Sequence, residues 1–238
     1  MPEDFAAAVF ASGGGSNFQS LLDHQAADPP WRIRVLITDR PGIGALDRAE
    51  RAGVPTRVIP TRGRPAAEVA SETLATLESH GIDVIFLAGY LKLVPASVVG
   101  TYRRRILNIH PALLPSFGGK GMYGTNVHRA VLESGTRISG PTVHFVDEEY
   151  DRGTIVAQWP VPVLPDDTPE ALAARVLKIE HLLYPRVADH LCRALAEHRS
   201  PGPLVLSGEA FSTVAGAVDT ALATHDHQTE HPDRTEGY

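Results

Sequence analysis

Three stretches of this 238-residue chain carry residue types that can do chemistry. The first is Ser12-Gly13-Gly14-Gly15-Ser16-Asn17, between an apolar run (Ala6–Ala11) and a segment with Phe18, Leu21 and Leu22 at helical spacing. A turn from strand to helix gathers unpaired N–H groups and the positive end of the helix dipole, so it suits a phosphate. Glycines let the backbone approach an anion, and Ser16 and Asn17 add side-chain donors. A Walker A loop needs Gly-Lys-Ser/Thr, and no lysine is present; a dinucleotide fingerprint needs a third glycine where Phe18 stands. Asp39, ending the next apolar run, keeps a nucleotide-binding reading open. A tight turn without a ligand is the plain alternative.

The second stretch is Asn108-Ile109-His110-Pro111-Ala112-Leu113-Leu114-Pro115. Residues two apart in a strand share a face, so Asn108 and His110 point the same way. An amide donor beside a histidine can stabilise an oxyanion; the same pair can equally satisfy backbone groups at a strand end. The third stretch holds His144 in an apolar run and Asp151 in the turn Asp151-Arg152-Gly153. A carboxylate near His110 would raise its pKa and favour a proton donor. Asp before Arg-Gly is also ordinary turn chemistry.

The elements that must position these residues follow from the apolar pattern. Strands are expected at Ala6–Ala11, Arg32–Asp39, Thr56–Ile59, Asp83–Tyr90 and Ile106–His110, with helices at Ile43–Ala52, Ala66–His80 and Val94–Arg104 between them. This alternation predicts an α/β fold with a mostly parallel sheet and helices on both faces. Pro115–Thr125 reads as a loop and Asn126–Glu133 as a helix. Thr142–Asp147 and Thr154–Val163 are strands joined closely enough to be antiparallel. Pro169–Ala196 reads as a long helix with a break expected at Pro185, and Leu204–Val214 as a terminal hairpin. One domain over residues 1–214 is expected, with 215–238 as a polar tail.

Composition narrows the function classes. Net charge is −6, from 22 basic and 28 acidic residues, which argues against a nucleic-acid partner. The single cysteine, Cys192, can form neither an internal disulfide nor a cysteine metal cage. No HExxH, paired-cysteine or Gly-x-Ser-x-Gly motif is present, so no metal is expected. The acidic N-terminus is unlike a signal peptide, and no apolar run nears the length that spans a bilayer, so no membrane partner and a cytoplasmic location are expected.

Together these stretches resemble the folate-dependent formyltransferases, and within them the glycinamide ribonucleotide transformylase family. The carriers are Ser12–Asn17, Leu87–Val94 (LAGYLKLV), Leu107–Pro115 (LNIHPALLP), Thr142–Val146 (TVHFV), Asp151–Gly153 and Arg175–Pro185 (RVLKIEHLLYP). The resemblance implies a three-layer, Rossmann-like formyltransferase fold with an antiparallel element late in the sheet. It implies transfer of a formyl group from 10-formyltetrahydrofolate, as co-substrate, to the amine of glycinamide ribonucleotide, without a metal. His110 would be general acid and oxyanion stabiliser, Asn108 would hold the formyl oxygen, and Asp151 would raise the His110 pKa and relay a proton. His144 would line the same site. Gly15, Ser16 and Asn17 would bind the substrate phosphate and Glu180 the ribose hydroxyls. Leu91, Lys92, Leu93, Val94, Ile106 and Val146 would border the folate pocket, with Arg64 as a further contact. Lys92 stands where arginine is usual, and the loop Phe117–Val127 is longer and richer in glycine than is common, so its contacts are unassigned. The resemblance leaves a homodimer open. A formyltransferase with another acceptor, a formyl-folate hydrolase, and a nucleotide-binding module without formyl chemistry are the competing readings.

Overall fold

The computed structural model describes residues 4–204. In chain order the elements are β1 (Phe5–Ala11), α1 (Ser16–His24), β2 (Trp31–Thr38), α2 (Gly44–Arg51), β3 (Thr56–Val58), α3 (Ala66–Ser79), β4 (Val84–Leu87), α4 (Ala96–Thr101), β5 (Ile106–His110), α5 (Thr125–Glu133), β6 (Ile138–Ser139), β7 (Thr142–Phe145), β8 (Ile155–Gln158), β9 (Val161–Pro162) and α6 (Pro169–Ala196). A seven-stranded sheet runs β3-β2-β1-β4-β5-β7-β8. Its first five strands are mutually parallel, and β7 and β8 are antiparallel additions. The expected α/β class, mostly parallel sheet and late antiparallel element are all present.

Two buried layers explain the near-continuous apolar strands. Alternate residues of β1 face opposite ways: Ala7, Val9 and Ala11 meet Phe18 and Leu21 of α1 and Tyr184, Val187 and Leu191 of α6. Ala8 and Phe10 meet Val69 and Leu77 of α3 and Val98 of α4. The buried Tyr184 hydroxyl lies 2.9 Å from the Leu87 carbonyl and 3.0 Å from that of Leu107, so α6 is fixed against β4 and β5 beside the strand ends that carry the motifs.

Several boundaries differ from expectation. The strand expected at Asp83–Tyr90 is only Val84–Leu87, because Gly89 takes a left-handed φ of 75° and turns the chain out of the sheet. The strand expected at Thr154–Val163 is two strands. Pro160 lacks an N–H, and the chain leaves β8 for β9, which pairs with β6 in a separate two-stranded sheet. The expected break at Pro185 does not occur: α6 is one 28-residue helix. The burial of Leu183, Tyr184, Val187, Ala188, Leu191 and Cys192 outweighs the one backbone hydrogen bond that proline forfeits. The expected hairpin, apart from Leu204, and the expected tail lie outside the described residues, as does the 1–214 boundary. No helix among the described residues is long and apolar enough to cross a membrane.

Candidate active site

The carboxyl ends of β1, β4 and β5 lie side by side, which is where an open parallel sheet accepts ligands. The loops leaving β1 and β4 are clasped together: the Ser12 N–H donates to the Gly89 carbonyl (3.1 Å), and the Leu91 N–H donates to Ser12 Oγ (3.0 Å). The segment after β5 is pinned by its antiparallel neighbours. Thr142 Oγ1 donates to the Ala112 carbonyl (2.6 Å) and accepts from the Leu114 N–H (3.0 Å), while Gln158 Nε2 donates to the Leu114 carbonyl (2.9 Å). Rigid strands therefore aim Asn108 and His110 from both flanks.

A cleft of about 620 Å³ opens above these strand ends. It is lined by Asn17, Leu91, Asn108, His110, Asp151 and Glu180, among others. Asp151 adopts a left-handed φ of 56° in its turn. The following Gly153 is obligatory, since an added Cβ would lie 1.7 Å from the Phe145 carbonyl oxygen. The turn thereby directs the Asp151 carboxylate inward, where it lies 3.6 Å from His110 Nδ1 and 3.5 Å from His144 Nε2 and accepts from the Gly119 N–H at 2.8 Å. His144 Nδ1 faces the Phe145 carbonyl (2.8 Å), leaving Nε2 3.1 Å from Asn108 Nδ2. The same Nε2 thus lies close to both Asn108 and Asp151.

The electrostatics correct one expectation. Burial lowers the His110 pKa, and the opposing pulls of the Asp151 charge and the Phe117 carbonyl do not offset it. His110 therefore sits below the ordinary histidine value rather than above it. Burial raises Asp151, but the contact with His144, the His110 charge and the Gly119 N–H together hold it below the usual carboxylate range. Both nitrogens of His110 face oxygens, since Nε2 lies 2.9 Å from the Phe117 carbonyl. With the ring neutral and its hydrogen on Nε2, the Nδ1 lone pair stands beside an anionic carboxylate, ready to take a proton.

The glycine turn is built differently from a free anion loop. Gly15 precedes α1 with a φ of 75°, and a Cβ there would lie 2.8 Å from Ala45 Cβ; its absence lets α1 pack against α2. Ser16 lies in a neighbouring open hollow of about 460 Å³ with Arg48 and His181. Asn17 is buried, and its Nδ2 donates to Glu180 Oε2 at 2.5 Å. Burial pushes the Glu180 carboxyl up to about 7, against the downward pull of that hydrogen bond.

A second hollow, of about 60 Å³, shares Asn108 and Asp151 with the cleft and is bordered by Lys92, Leu93, Val94, His144 and Val146. The structure does not bring Ile106 or Arg64 to either space. Ile106 is buried in the sheet core, and the Arg64 guanidinium pairs with Glu72 at 2.8 Å. Asp39 lines neither space: its Oδ2 pairs with Arg40 at 2.9 Å and lies 3.8 Å from Lys92, while its Oδ1 is buried without a hydrogen-bond partner among the described residues. Sequence reasoning missed His128, a buried histidine in the cleft wall. Its signal was present: in the expected helix after the glycine-rich loop it lies on the stripe of Val127 and Val131. No group of three or more His, Cys, Asp or Glu side chains among the described residues is arranged to hold a metal ion.

Residues 6–188 match the family model for formyl transferases. The chain is 48% identical over 204 residues to a chloroplastic phosphoribosylglycinamide formyltransferase of Arabidopsis thaliana, covering 83% of this chain and 69% of that protein. It superposes on the crystal structure of glycinamide ribonucleotide transformylase 1 from Symbiobacterium toebii with a TM-score of 0.75 and 37% identity, over 87% of this chain and 93% of that one. A formyltetrahydrofolate deformylase from Pseudomonas syringae shares the fold alone: the TM-score is 0.73 at 23% identity, over 81% of this chain and 62% of that one. The chain belongs to the formyl transferase family, in which its near relatives are phosphoribosylglycinamide formyltransferases.

Proposed function

We propose that this chain transfers a formyl group from 10-formyltetrahydrofolate to the primary amine of glycinamide ribonucleotide, giving the formylated nucleotide and tetrahydrofolate. The observation that carries the reading is one cleft lined at once by Asn108, His110 and Asp151 and by the Asn17–Glu180 pair. The first group suits the reacting centre and the second the ribose of the acceptor, with the phosphate held by the N–H groups of Gly15 and Ser16.

In this reading Asn108 donates to the formyl oxygen as the amine adds and the oxygen gains charge. The proton lost by the attacking nitrogen passes to the Asp151–His110 pair. The imidazolium so formed lies beside the Asp151 carboxylate, which favours it, and it then protonates the departing N10 of the folate. A neutral resting His110 suits this order of events, since it must accept before it donates. His144 positions Asn108 and Asp151. The folate head lies against Leu91, Lys92, Leu93, Val94 and Val146. The hollow there, about 60 Å³, shares Tyr90, Asn108, Tyr150 and Asp151 with the larger cleft.

Hydrolysis of the folate is the reading to separate from transfer, because a deformylase shares the fold. Incubating the protein with 10-formyltetrahydrofolate with and without glycinamide ribonucleotide does so. Folate deformylated only when the nucleotide is present, with the formylated nucleotide as product, is the expected result; equal turnover without it overturns the proposal. A cytoplasmic location and a single formyltransferase domain over 1–214 belong to the same proposal. The Arabidopsis relative is named chloroplastic, so localisation of the tagged chain is the test of the first.

A further inference from the structure

His128 lies near the start of α5, is only 4% exposed, and forms part of the cleft wall with His110, Ala173, Leu177 and Glu180. Its Nδ1 is fully buried and has no hydrogen-bond partner among the described residues. A neutral imidazole has one N–H and one bare nitrogen. Stranding the N–H at Nδ1 would bury an unsatisfied donor, so the hydrogen belongs on Nε2, the nitrogen left to face the cleft. Protonating the whole ring would strand a charged N–H at Nδ1. Burial, and then the charge of nearby His110, work against it and hold the His128 pKa below its ordinary value. The cleft thus contains a neutral N–H donor for which the described residues supply no acceptor.

A neutral donor suits a neutral acceptor. The proposed amine substrate carries one next to its reacting end: a carboxamide oxygen, one carbon away from the attacking nitrogen. We propose that His128 is a specificity-determining residue that donates its Nε2–H to this oxygen and holds the amine toward His110. The assignment rests on the proposed formyl transfer and adds to it the contact that reads the acceptor's amide.

The test compares glycinamide ribonucleotide with an analogue whose carboxamide carbonyl is a methylene, in the wild type, His128→Leu and His128→Gln. Leucine keeps the packing and removes the donor; glutamine restores an N–H. The wild type should favour the amide acceptor by about tenfold in KM, the size of one good hydrogen bond. His128→Leu should lose that preference while the KM for the folate stays within about twofold, and His128→Gln should recover part of it. Equal losses on both acceptors in His128→Leu would mark a packing role and overturn the assignment. So would a wild type that does not distinguish them, a comparison that stands even where His128→Leu fails to fold. A wild type that formylates neither acceptor overturns the proposed reaction, and this contact with it.

Discussion

Glu180 offers a stability measurement that needs no substrate. The residue is 6% exposed, the one described partner of its carboxyl is Asn17 Nδ2, and burial moves its pKa from an ordinary 4.5 to about 7. A carboxyl whose folded pKa lies above its unfolded value favours folding when protonated. The contribution is whole below about 4.5 and is lost as the pH rises through about 7. Glu180→Gln keeps the shape and the acceptor for Asn17 while fixing the neutral state. Groups common to both proteins cancel in the difference. From ~pH 5 to ~pH 8 the variant should gain about 2–3 kcal/mol over the wild type, an upper bound set by one carboxyl. Urea denaturation of both proteins at the two pH values measures this. A difference that does not change with pH would show that Glu180 ionises freely in the fold and would refute the reasoning.

Other perturbations separate structure from binding. Gly15→Val should destabilise the fold by about 2 kcal/mol or more, because it forces a side chain to a positive φ and against Ala45; thermal unfolding reads this. Gly14→Ala, with no atom within 4 Å of the new Cβ, should unfold like the wild type. Tyr184→Phe strips a buried hydroxyl from the Leu87 and Leu107 carbonyls and should cost about 1–2 kcal/mol in urea denaturation. An unchanged midpoint would mean that those carbonyls find another partner.

Much of this architecture was legible because its signals are local. The run before Ser12-Gly13-Gly14-Gly15 could only be a buried strand entering a helix, and the two-residue spacing of Asn108 and His110 fixed their shared face. What was not legible depended on distant partners. The two-residue strands β6 and β9 have no pattern of their own and exist only by pairing with each other. Pro185 looked like an interruption of the long helix, because the packing that carries α6 past it comes from β1, β4 and β5. The sign of the His110 shift also escaped sequence reasoning. A nearby carboxylate can be inferred from a motif, whereas the depth of burial that outweighs it is a property of the folded cleft. The close packing at Gly15 was hidden for a similar reason: its near neighbour, Ala45, is thirty residues away in the chain.

The central claim is that His110 and Asp151 handle one proton as a unit, and a double-mutant cycle tests it most directly. Asparagine tolerates the left-handed backbone at position 151, so Asp151→Asn removes the charge without disturbing the turn. Single-turnover formyl transfer by His110→Asn and by Asp151→Asn should each fall by about 10²–10⁴-fold with unfolding unchanged. The double variant should be little slower than the worse single one. Losses that multiply in the double variant, or near-normal transfer in either single one, would contradict the account.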